Sequence, residues 1–212
     1  MLQMNSAFKN EMDDLFIKVP RRPNQLKNIA GLIAQWDAKD YARNAQCYQL
    51  RHSPEGNINS TGGSGGLCAP AIPFWHSQFK DSVEKRVWSL VEVLINKGNW
   101  ISYTSCEGHY YLGKNLPNSE LHVGLLPRNN QEYLIMHSFL HKLVIAARCT
   151  NKFPAVQPSL MIHTLDNSLA PYPVIDVYLS RSPNVSWDEY FTVLENATSA
   201  FVKISHQMLG TS

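Results

Sequence analysis

"WISYTSCEGH" (residues 100–109) and "ELHVGLLP" (residues 120–127) decide how this chain folds. In both, apolar and polar side chains alternate with a period of two, the pattern of a strand with one buried face. Working upstream, Val83, Val87, Leu90, Val91 and Leu94 share one helical face and Gly98 supplies a stop, which predicts a helix over 79–97. Downstream, helical spacing returns through Tyr133, Leu140, Leu143 and Ala147, predicting a helix over 130–148. The order then repeats: "SLMIHTL" and "YPVIDVYLS" are expected strands. A Ser186…Glu189 capping box opens a helix over 187–208 that keeps Phe191, Leu194, Phe201 and Ile204 inward. The expected order is αββαββα, and its economical packing is a two-layer α+β sandwich with a mainly antiparallel sheet.

Because successive strand side chains point to opposite sides, the strands assign two faces. Leu121, Val123 and Leu125 form one side, with Leu160, Ile162, Ile175, Val177 and Leu179, and should meet the helices. The opposite face carries His122, Met161, His163, Asp176 and Tyr178. If Ile101 and Tyr103 also face the helices, that open face gains Ser102, Thr104 and Cys106, with the CEGH segment as a turn at its edge.

The rest of the chain reads as an extension of this core, 79–212, with one domain expected overall. Residues 1–52 form a helical extension in which Leu26, Ile29, Ile33 and Trp36 make one stripe. Residues 53–78 are so dense in Gly, Ser, Asn and Pro that no regular element is expected to persist. Within "WDAKDYARNAQ", Trp36, Asp40, Tyr41, Arg43 and Asn44 place aromatic, acidic, guanidinium and amide groups close enough to hold a polar ligand; a salt-bridged amphipathic helix would use the same residues.

Composition excludes several classes. The chain has 212 residues, 44% of them hydrophobic, enough for a proper core. Nineteen basic against 17 acidic residues give +2, so charge indicates neither a nucleic-acid nor a membrane partner. No segment approaches about 18 uninterrupted apolar residues, and acids stand where a secretory signal needs its apolar stretch; a soluble, cytoplasmic protein is expected. Cys47, Cys68, Cys106 and Cys149 are scattered without a CxxC pair and are expected to be free thiols.

Two histidines, an aspartate and a cysteine on one sheet face, in place of the Lys, Glu and Thr of an ordinary solvated face, point to a site. Three uses are open. Zinc would draw on Cys106, His109, His122 and His163, although a single C-x-x-H recurs by chance. A covalent mechanism would make Cys106 the nucleophile and His109 its base, with Glu107 or Asp176 orienting the imidazole. A ligand platform would use Gly108 for close backbone approach, while Thr104, Ser105, His122, His163, Asp176 and Tyr178 hold a polar, nucleotide-like molecule; it requires the fewest special geometries and no metal. The alternatives outside this reading are a non-catalytic protein-interaction module and a zinc- or Cys-His-dependent hydrolase.

"INKGNWISYTSCEGH" also resembles the SSCSGR region of the tRNA wybutosine-synthesising methyltransferase family, with Glu107 at its second serine and His109 at its arginine. The likeness covers about twenty residues. It implies an α+β fold and S-adenosylmethionine as cofactor, with Ser105, Cys106 and Gly108 as the carried-over positions. Residues 36–49 resemble the entry segment of some class I methyltransferases, but no glycine-rich strand-to-helix turn follows, so a Rossmann-type enzyme is not supported.

Overall fold

Alternating strands with one apolar side settle into a four-stranded antiparallel sheet in a computed structural model that describes residues 28–38, 47–64, 71–165 and 171–210. The strands are β3 (Ile101–His109), β4 (Ser119–Leu126), β5 (Val156–Leu165) and β6 (Tyr172–Arg181), in the order β3-β4-β6-β5. The two hairpins therefore meet through their second strands, β4 against β6. Register sets Leu121 opposite Leu179, Val123 opposite Val177 and Leu125 opposite Ile175, and these side chains are at most 1% exposed. Directly paired residues share a face, so this is the side covered by helices α2 (Trp88–Asn96), α3 (Asn130–Cys149) and α4 (Trp187–Gly210). The α+β sandwich with αββαββα order is the fold.

The capping box forms as its residues demand: Glu189 N–H donates to Ser186 Oγ at 3.2 Å, while Ser186 N–H and Oγ–H donate to Glu189 Oε2 at 2.9 and 2.8 Å. The first core helix is shorter than its periodicity implies. Lys80–Ser82 is a single 3-10 turn, Val83 is extended (φ −108°, ψ 129°), and α2 begins only at Trp88. The reason is Glu84, which leaves the helical path to bind the free edge of β3.

Alternation also fails once on β3. A bulge between Ser102 and Thr104 inserts Tyr103, so Ser102 pairs with Leu125 and Thr104 with Gly124. One extra residue reverses the faces on either side of it. Tyr103 therefore reaches the open face, where its hydroxyl meets Asp176, and Ser102 leaves it.

Helix α1 (Ile29–Asp37) buries Ile29, Leu32 and Trp36. Trp36 is 2% exposed, its ring 5.5 Å from Phe74 and 5.7 Å from Phe79, so it is a core residue and not a ligand contact. Arg128 ties α1 to the sheet: Nε donates to Asp37 at 3.0 Å and Nη1 to Asn99 O at 2.9 Å. The glycine-rich segment does contain order, in a small ladder of β1 (Arg51–His52) with β2 (Ile58–Asn59). Asn59, 1% exposed, secures it by accepting from Thr61 and Gly62 N–H and donating to Gly63 O. Cys47, Cys106 and Cys149 are free thiols, as expected; Cys68 lies outside the described residues.

Candidate functional site

The CEGH segment is the end of a strand and not a turn, since β3 runs through to His109. Gly108 has φ +80°, and a Cβ there would lie 3.2 Å from Leu121 N and Ser119 O and 3.4 Å from the Leu194 side chain. Its close backbone approach is made to β4 and α4 rather than to a ligand.

Along the free edge of β3 runs the 83–87 segment. Glu107 N–H donates to Glu84 Oε2 at 2.6 Å, Arg86 N–H donates to Glu107 Oε2 at 2.9 Å, and Arg86 Nη1 donates to Glu107 O at 3.2 Å. Glu107 is thereby a staple between segments, which takes its carboxylate away from the catalytic role expected of it. Ser105 pairs with Val123, on the helix side, whereas Cys106 pairs with His122 on the open side, so one ligand cannot meet all of residues 105–109 from one direction.

His109 is 3% exposed and has acceptors at both ring nitrogens: Glu55 O at 3.0 Å from Nδ1 and Glu84 Oε1 at 3.1 Å from Nε2. Burial works against its charge, but the Cys106 sulfur and the Glu84 carboxylate outweigh burial and push the imidazole up to about 11. It therefore holds its proton near neutrality and is not the general base of a Cys106 nucleophile. Ser119 completes the cluster: its Oγ accepts from His109 N–H at 3.0 Å and lies 3.6 Å from Cys106 Sγ. Glu55 accepts from Lys114 and Ser64, which hold its carboxyl down to about 2.

A second cluster sits on the face away from the helices. Tyr103 Oη–H donates to Asp176 Oδ1 at 2.7 Å, and His163 Nε2 lies 3.0 Å from both Asp176 Oδ2 and Tyr103 Oη. The arrangement is consistent with Nε2–H donating to the carboxylate, leaving Nδ1 as the acceptor nitrogen; Nδ1 makes no hydrogen bond among the described residues. Asp176 is 3% exposed, and burial, followed by the Asp176 charge, pushes the Tyr103 phenol well up. Gly124 makes room for this group: a Cβ would lie 2.5 Å from Thr104 Cγ2, 2.6 Å from Tyr103 Cε1 and 2.8 Å from Asp176 Oδ1. Gly124→Ala is expected to displace Tyr103 and destabilise the fold by about 1–3 kcal/mol, as overpacking does. A denaturant midpoint equal to that of the parent protein would disprove the crowding.

His122 stands on the open face beside the two clusters. Its ring stacks on Tyr178, with centroids 4.9 Å apart and planes at 23°, and register places it between Tyr178 and Cys106. Tyr178 in turn follows Asp176 on the same face of β6. Asp40 and Tyr41, with Arg43 and Asn44, lie outside the described residues. His137 and His141 stack along α3 at 6.3 Å, where burial and the neighbouring ring push His137 down. A cavity of about 410 Å³ lined by Leu134, Ile135 and Phe139, and one of about 360 Å³ lined by Arg128, Tyr172 and Pro173, touch neither cluster.

Sequence reasoning thus brought His163 to Asp176 and Cys106 to His109, but missed Tyr103, Glu84, Ser119 and Glu55. Glu84 falls inside the expected helix over 79–97 with no signal of its own, and Glu55 acts through its backbone carbonyl, which leaves no trace in residue type. The chain matches no protein-family model, no curated protein and no solved structure. Among the described residues, no helix is long and apolar enough to cross a membrane.

Proposed function

We propose that the protein binds or modifies a small polar ligand, nucleotide-like or S-adenosylmethionine-like, on the sheet face opposite the helices. The observation that carries this reading is the Asp176-oriented His163 beside Tyr103. A carboxylate that fixes one imidazole nitrogen leaves the other as a positioned acceptor, able to take a hydrogen bond or a proton from an amino or hydroxyl group. The stacked His122–Tyr178 pair beside it offers an aromatic surface on which a base can lie. The likeness of residues 95–109 to the wybutosine-synthesising methyltransferases supports S-adenosylmethionine as one of the ligands to try.

Thermal-shift measurements with adenine and guanine nucleotides, S-adenosylmethionine and S-adenosylhomocysteine test it. A ligand at 100-fold its dissociation constant should add roughly 2.7 kcal/mol, and His163→Ala or Tyr178→Ala should abolish that gain. If none of these compounds moves the transition, the reading fails in favour of a non-catalytic interaction module.

A further inference from the structure

We infer that Glu84, Cys106 and His109 form a binding site for one divalent transition-metal ion of the zinc class. The inference goes beyond the ligand face, because it stands on different atoms at the end of β3. A carboxylate, a thiolate and an imidazole are zinc's own donor set, and the ion would displace the proton that His109 Nε2 otherwise holds against Glu84. One ligand atom of each lies within 4.8 Å of the others, and Glu84 Oε1 and His109 Nε2 are 3.1 Å apart, so an ion about 2.0–2.2 Å from each fits between them. The expected set of Cys106, His109, His122 and His163 does not assemble, since His163 is bound to Asp176 and His122 is stacked on Tyr178. Glu84, which sequence spacing places on a helix, takes their place.

The strongest support is that each donor already has a separate partner on its far side. Glu84 Oε2 accepts Glu107 N–H at 2.6 Å, which leaves Oε1 for an ion. His109 Nδ1 faces Glu55 O at 3.0 Å, the imidazole-to-carbonyl contact that orients metal-bound histidines. Ser119 Oγ accepts from His109 N–H and so keeps its own proton for Cys106 Sγ, 3.6 Å away. Glu55's carboxylate is occupied by Lys114 and Ser64 and does not compete. Three protein donors are one short of a tetrahedron; His109 and Glu84 are buried while Cys106 is half-buried, so the fourth position opens beside the sulfur.

The 212-residue chain, stripped with chelator and dialysed, is titrated with Zn(II) and separately with Co(II), without nucleotide, so that failure here leaves the ligand face untouched. One tightly held zinc per chain and a thiolate-to-cobalt charge-transfer band are expected. Cys106→Ser should abolish the band, and Ser119→Ala should weaken zinc binding about 10–100-fold while keeping the band. Because Glu84 and His109 variants affect folding directly, the test turns on the cobalt spectrum of the parent chain and of Cys106→Ser. No band in the parent chain, or zinc retained equally by Cys106→Ser, would overturn the assignment.

Discussion

Glu84→Ala is expected to destabilise the fold by about 3 kcal/mol, because it removes one partner of a buried pair and leaves the other behind. The His109 side chain is 2% exposed and Glu84 10%, so water replaces little of what is lost. Two donors are orphaned together: His109 Nε2–H and Glu107 N–H. For a chain of this size the melting temperature should fall by about 6–12 °C. Glu92→Ala, on the exposed side of α2, should stay within about 0.5 kcal/mol. The decisive comparison is a double-mutant cycle with His109→Ala. If Glu84 acts through the imidazole, the two losses will fall short of adding, by about 1 kcal/mol or more. Full additivity would mean that Glu84 works only as an acceptor for the β3 edge.

The same residue shows why the architecture was legible and the site less so. β4 and β6 alternate cleanly because one face is buried against helices, and that constraint is written at every second position. The capping box likewise works through residue types at fixed spacing. Glu84 breaks from such a pattern: Val83 and Val87 are apolar because they pack, and apolar packing continues the periodicity of α2 backwards over residues that are not helical. Its capture by Glu107 N–H, 23 positions away, is a tertiary event that no local window contains. Tyr103 was misplaced for a related reason. A bulge changes no residue type, yet it moved a phenol that reaches both Asp176 and His163 from the expected buried face to the open one.

That displaced phenol gives the other large expectation. Asp176→Ala should cost about 3 kcal/mol, since Tyr103 Oη–H and His163 Nε2–H lose their common acceptor in a setting that is 5% exposed at the aspartate side chain. Asp176→Asn separates charge from shape. Burial and then the Asp176 charge both oppose ionisation of Tyr103, so its folded value lies above its unfolded one. By linkage, the resulting stability is fully present below the ordinary phenol value near 10 and is lost as pH rises through the folded value. The groups facing the phenol are Asp176, His163 and Tyr178. In an alkaline titration of tyrosinate absorbance, the parent chain should therefore show a late-ionising phenol that disappears in Tyr103→Phe. Asp176→Asn should bring that same phenol to lower pH while burial still holds it above an exposed tyrosine. Other tyrosines are raised too, Tyr190 among them, so the comparison with Tyr103→Phe is what assigns the signal. If Asp176→Asn left the late phase where it was, burial alone would account for it, and the carboxylate would lose its place as the group that orders Tyr103 and His163.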